Sequence, residues 1–147
     1  MTEYSPYDLL KLDNQLCFPL YACSKEIVRR YTPILDRIGL TYTQYIAMMV
    51  LWEERQMGVG ELGERLFLDS GTLTPLLKKL ESKGLVTRTR SESDERKVLI
   101  TLTDAGLELR EKALMVPSEI GNCITLDPQD AMDLYRILHK MMGSFRE

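Results

Sequence analysis

The apolar positions Leu73, Leu76, Leu77 and Leu80 follow the i, i+3, i+4, i+7 spacing of a helix docked on a core. The opposite face carries Thr72, Thr74, Lys78 and Lys79, short hydrogen-bonding groups first and cations after them. Ser70 and Gly71 stand at its start, where small residues let a helix end approach a base edge or a phosphate. Pro75 has no amide hydrogen and costs no helical bond only within the first turn. The N-cap is therefore predicted no earlier than about Thr72, with Ser70 and Gly71 in the preceding turn. Gly84 is placed to end the helix in the left-handed conformation.

Upstream, Tyr7 to Phe18 reads as helix, with Leu9, Leu12 and Leu16 on one face and Leu10 beside them. Pro19 either kinks this helix or follows a new segment starting close to Cys17. The pattern resumes through Ile27, Val28 and Tyr31; Thr32-Pro33 predicts a break and restart, and Gly39 an end. Thr41 to Glu54 is the next helix, capped by Thr41 or Thr43, with Tyr45, Met48, Met49 and Trp52 as its apolar side. A link through Gly58 and Gly60 leads to a helix of at most two turns, Glu61–Phe67, and a tight turn, Leu68–Gly71.

Downstream, Leu85–Arg90 reads as a strand with Arg88 and Arg90 pointing the same way. The turn Ser91–Arg96 joins it to Lys97–Leu102, whose Val98, Ile100 and Leu102 face inward, so the pair is a hairpin. Thr103–Gly106 caps a helix running to about Val116, where Pro117 interrupts it. Asp127-Pro128 opens a last helix with Ala131, Leu134, Leu138, Met141 and Phe145 on one side. Helix, short helix, turn, helix, hairpin is the winged helix-turn-helix plan, so the predicted class is mainly α with a small β-hairpin wing (α+β). Residues 1–147 read as one domain: a winged lobe over about 41–102, flanked by helical segments at about 7–38 and 103–147.

Composition agrees with one core: 147 residues, 44% hydrophobic and 28% charged. No apolar run approaches the roughly 20 residues that span a bilayer, and the first residues lack the layout of a secretion signal. Three cysteines, an odd count without metal-like pairing, point to free thiols in a reducing compartment, the cytoplasm. The net charge of −3 hides a gradient. Residues 70–100 hold seven Lys/Arg against four acids, and residues 101–147 five against eight. A basic middle with acidic flanks lets one face meet phosphate.

The block Leu66–Glu81, with Asp69-Ser70-Gly71-Thr72 and Thr74-Pro75, and the wing segment Ser93-Asp94-Glu95-Arg96 resemble the MarR family. The block Asn14-Gln15-Leu16-Cys17-Phe18 with Tyr21 resembles its organic-hydroperoxide-sensing branch. The resemblance implies a homodimeric repressor whose terminal helices pair and whose two lobes bind a pseudo-palindromic double-stranded operator. Surplus apolar helix at both ends agrees with the pairing, although a monomer folding those helices back on itself is the plainer alternative. Ser70, Gly71, Thr72, Thr74, Lys78 and Lys79 are the expected DNA-facing residues of the helix. The family's Asp-x-Arg wing motif matches Asp94 and Arg96, with Arg96 for the minor groove, Asp94 holding its guanidinium, and Arg88 and Arg90 for phosphates.

An isolated cysteine in a run such as Leu16-Cys17-Phe18 is ordinarily a small buried hydrophobe. The resemblance instead implies that Cys17 is oxidised by an organic hydroperoxide and that the hydroxyls of Tyr21 and Tyr31 hold it. Tyr21, four residues on, shares its helical face. A helix start next to Cys17 would also favour its thiolate. Cys23, six residues on, is a poor disulfide partner on a helix; Cys123 is the better candidate, a small thiol the other. The alternative function keeps the fold but has a small phenolic ligand release the DNA, with Cys17 structural. An enzyme is not expected: there is no Cys-x-x-Cys, the lone histidine is His139, and neither a metal cluster nor a cofactor motif is present.

Overall fold

The computed structural model describes residues 5–146. Among these residues seven α-helices and one sheet follow in the order α1 (Cys17–Asp36), α2 (Tyr42–Glu54), β1 (Gln56–Gly58), α3 (Val59–Leu66), α4 (Ser70–Ser82), β2 (Val86–Arg90), β3 (Val98–Leu102), α5 (Asp104–Ala113), α6 (Met115–Cys123) and α7 (Pro128–Ser144). The sheet has three antiparallel strands in the order β1-β3-β2, so the predicted hairpin is joined by a strand that the sequence reading assigned to a link. Three residues, two of them polar or glycine, carry too short a pattern to announce a strand; β1 exists because β3 offers it a free edge, with Met57 opposite Ile100.

The expected helix from Tyr7 to Phe18 is absent. Residues Pro6–Leu10 and Leu12–Asn14 form two 3₁₀ turns instead. The side-chain amide of Asn14 donates to the Asp8 carbonyl at 2.7 Å, and that of Gln15 to the Leu9 carbonyl at 2.6 Å. These bonds fold the segment back on itself, so α1 begins at Cys17. Of the two readings of Pro19, the new start is the observed one: Pro19 is the third helical residue, where an absent amide leaves no bond unmade. The break expected at Thr32-Pro33 does not occur, because α1 runs through Pro33 to Asp36. Pro33 costs a backbone bond, but the next two residues, Ile34 and Leu35, are buried in the core. Burying two such side chains contributes about 3–6 kcal/mol, enough to offset a helical proline at about 3.

Thr41 caps α2 through a reciprocal pair with Gln44. The helix is buried nearly all round (Tyr45, Ala47, Met48, Val50, Leu51), whereas Met49, expected inside, is exposed. It forms the centre of a core shared with Leu62, Leu73, Leu77, Leu80, Val86 and Ile100. The long helix expected to end at Pro117 breaks earlier, at Leu114, and Pro117 lies harmlessly in the first turn of α6. No described residue of α7 is buried; its Leu134, Tyr135 and Ile137, and Phe145 just after it, are all exposed. The apolar side of α7 and that of the first half of α1 (Phe18, Leu20, Tyr21 and Val28) thus lie outside the lobe's core.

Candidate nucleic-acid interface and thiol site

Helix α3 ends on Phe67, a non-glycine residue in the left-handed conformation (φ 55°, ψ 38°). The chain turns so tightly that the Leu68 amide donates back to the Gly63 carbonyl at 2.9 Å. Asp69 then caps α4: its carboxylate accepts from the Thr72 amide at 2.7 Å. Thr72 holds this carboxyl below the usual carboxylate range. The expected start at Thr72 is therefore wrong by three residues. Ser70 and Gly71 are the first two helical residues, and Pro75 is the sixth, inside the helix. The sequence places Asp69 in the turn because Pro75 has no amide to donate in a helix that starts earlier. Four buried leucines, Leu73, Leu76, Leu77 and Leu80, contribute more than one absent hydrogen bond costs.

Ser70, Gly71, Thr72, Lys78 and Lys79 are exposed and Thr74 is half-buried, so the expected residues of α4 share one solvent-facing surface. Pro75, which the sequence reading left out, lies among them and is also exposed. Gly84 closes the helix at φ 74°, as expected.

In the wing, Asp94 accepts from the backbone amide of Arg96 at 3.0 Å. Among the described residues it makes no ion pair with the Arg96 guanidinium, contrary to expectation. An aspartate two residues before an amide closes an Asx turn more readily than it reaches a mobile side chain, and the turn leaves Arg96 exposed. Arg90 is exposed too. Arg88 pairs across the sheet with Ile100 and so shares the face that carries Val86 into the core. It is half-buried, its Nε has no hydrogen-bond partner, and its amide donates to Glu81 at 3.1 Å.

Cys17 is the first residue of α1 and is exposed, not a buried hydrophobe. Within the protomer neither expected tyrosine bonds to it. Tyr21 lies under Lys25, whose Nζ stands 5.2 Å from the ring centroid. Tyr31 is fourteen residues along the same helix, about 21 Å away at 1.5 Å per residue. Its ring packs on Tyr42 and Tyr45, with centroids 4.9 and 6.0 Å away, and burial raises the pKa of all three phenols. Arg30 donates to the Cys123 carbonyl, and Arg37 pairs with Glu119, which ties α6 alongside the distal half of α1. Cys123 is therefore level with Arg30 and Tyr31, about 20 Å from Cys17 of the same chain. Cys23 is exposed and has no described partner.

Among the described residues no group of His, Cys, Asp and Glu could hold a metal ion, and no helix is long and apolar enough to cross a membrane. Residues 29–113 match the family model of the SarA/Rot transcriptional regulators. The chain is 50% identical over 131 residues to the organic hydroperoxide resistance transcriptional regulator of Bacillus subtilis, covering 89% of this chain and 87% of that one. It is similar to reduced AbfR bound to DNA (36% identity, TM-score 0.76, 94% and 96% of the two chains). It is similar also to disulfide-formed AbfR (35% identity, TM-score 0.61, 95% and 92%). Identity at this level along nearly the whole chain, on a winged helix-turn-helix with an exposed cysteine opening its first long helix, means that the protein belongs to the MarR family of transcriptional regulators, of the organic-hydroperoxide-sensing type.

Proposed function

We propose that the protein is a dimeric repressor that binds a pseudo-palindromic double-stranded DNA operator through α4 and the wing. An organic hydroperoxide oxidises Cys17, and the oxidised protein releases the operator. The observation that carries this reading is an exposed Cys17 at the head of α1 in a chain whose α4 presents a continuous polar and basic face. The closer likeness to DNA-bound AbfR than to its disulfide form supports a conformation shaped for DNA. The lobe spans about 41–102. The exposed apolar faces of α1 and α7, outside that lobe, are the pairing surface with a second copy. A regulator of this kind acts in the cytoplasm and catalyses no turnover; the hydroperoxide is its oxidant.

Chemistry at Cys17 begins with its thiolate attacking the terminal oxygen of the hydroperoxide. The S–O bond forms as the O–O bond breaks, leaving sulfenic acid on Cys17, and the departing alkoxide takes a proton from solvent to become the alcohol. Because Tyr31 lies about 21 Å from its own Cys17, the cysteine it serves is the partner's. Antiparallel pairing of two α1 helices brings Cys17 level with the partner's Tyr31 and Cys123 together. Tyr21, four residues after Cys17 on the same helical face, is the second hydroxyl of this site.

On DNA, Ser70, Gly71, Thr72 and Thr74 approach base edges at the start of α4, and Lys78 and Lys79 meet phosphate. Arg96 enters the minor groove, positioned by the Asp94 turn, while Arg90 and the half-buried Arg88 face the backbone. Arg96→Ala should weaken operator binding about tenfold or more. Lys79→Ala should instead lower the slope of log affinity against log salt by about one, with little change in sequence preference. Fluorescence anisotropy over a salt series measures both.

The decisive test is operator binding with and without an organic hydroperoxide, for wild type and Cys17→Ser. Release of the wild type alone supports the redox switch. Release of both would show that Cys17 is not the sensor, and release by a phenol without oxidation would favour a ligand-operated repressor.

A further inference from the structure

The sixth residue of α4 removes a hydrogen bond from the middle of the surface that this reading turns toward DNA. Residue 75 would donate its amide to the carbonyl of Gly71, and as proline it has none to give. At 100° per residue the buried leucines centre on one side of α4, and Gly71, Pro75 and Lys78 lie within about 40° of the opposite direction. Gly71 and Pro75 are both exposed, and neither the described side chains nor any cap bonds to that carbonyl. Gly71 has no side chain to shield it, and the Pro75 ring stands on its axial side, which leaves the lateral approach.

We propose that the Gly71 carbonyl is a base-reading group, accepting a hydrogen bond from one exocyclic amine, adenine N6 or cytosine N4, in the major groove of each half-site. The inference rests on the DNA-binding reading above. Water satisfies the exposed carbonyl in the free protein, and docking displaces or traps that water. Against an amine the bond is remade. Against guanine O6 or thymine O4 two acceptors meet and the carbonyl is left unsatisfied, which is the costlier state. The ammonium groups of Lys78 and Lys79 only donate, and the hydroxyls of Ser70, Thr72 and Thr74 can donate or accept, so among these groups the carbonyl alone is fixed as an acceptor. Pro75 is thus a specificity-determining residue through the carbonyl it leaves free.

The test is a cycle between protein and DNA. Reduced protein first selects its sites from a random double-stranded library. In the selected site each adenine is then replaced in turn by purine, and each cytosine by 2-pyrimidinone, deleting only the amine. Binding is measured for wild type and for Pro75→Ala, which restores the amide that claims the Gly71 carbonyl. At one position per half-site the deletion should weaken wild type about threefold to tenfold more than Pro75→Ala. Circular dichroism of Pro75→Ala should show helix content at or above wild type. Equal losses for both proteins at every position would overturn the proposal. So would a Pro75→Ala defect that tracks replacement of thymine by uracil, which assigns the effect to the proline ring on a methyl group. Failure of reduced wild type to select any sequence would overturn the DNA-binding reading itself, and this inference with it.

Discussion

Gly106→Ala should destabilise the folded protein by about 3 kcal/mol, the upper end of the usual cost of overpacking. A Cβ at this position would stand 2.2 Å from the Leu85 carbonyl oxygen and 2.7 Å from Leu102 Cδ1. The first is backbone that cannot step aside, because the Thr103 amide donates to the same Leu85 carbonyl at 3.1 Å. The Gly106 carbonyl also accepts from Trp52 Nε1 at 2.8 Å, so any shift of this turn strains a bond into α2. The position is where the wing strands, the cap of α5 and the central helix converge. Urea unfolding followed by fluorescence of the lone tryptophan measures the loss directly. Gly121→Ala is the control: a Cβ there meets nothing within 4 Å, and its midpoint should stay within a few tenths of wild type or rise slightly. If Gly106→Ala unfolds at the wild-type midpoint, the close approach of α5 to Leu85 is not rigid.

Peroxide treatment should convert wild type into a covalent dimer through Cys17 of one chain and Cys123 of the other, and Cys123→Ser should remain monomeric on a non-reducing gel. The prediction follows from length. A disulfide needs its Cα atoms within about 7 Å, and Cys123 of the same chain lies about 20 Å along α1. Its level on α1 is fixed at two points, Arg30 on the Cys123 carbonyl and Arg37 on Glu119. In the proposed dimer a second α1 running the opposite way would place a Cys17 beside it. Tryptic mass spectrometry would identify the linked peptides. A Cys17–Cys123 peptide recovered from protein that runs as a monomer would refute the antiparallel pairing. A mixed disulfide of Cys17 with a small thiol, equally abundant in wild type and Cys123→Ser, would remove Cys123 from the resolving role.

Much of the lobe was legible because its signals are local and agree with one another. Leu73, Leu76, Leu77 and Leu80 are all in the core, Gly84 has the positive φ its place required, and Thr41 caps α2. Prolines misled the reading in both directions. Pro33 and Pro75 each lie inside a helix that local rules would end or delay, because the burial of neighbouring side chains outweighs one missing amide bond. The N-terminal leucines read as a helix because their spacing allowed it. The amides of Asn14 and Gln15 decided otherwise, reaching back six residues to close turns that periodicity cannot represent.

The site divides the same way. The residue types of the α4 face, the wing and Cys17 are written in the sequence, since hydroxyls, cations and a thiol declare their chemistry wherever they stand. What tertiary structure alone decided is reach. It set Cys17 in the open at a helix start, held Tyr31 and Cys123 about 20 Å beyond it on their own chain, turned Asp94 onto the Arg96 backbone, and began α4 early enough for Pro75 to free a carbonyl. Sequence spacing measures distance only while one helix continues. Where the chain folds back, or a second copy must supply the missing group, distance belongs to the packed core and not to the pattern along the chain.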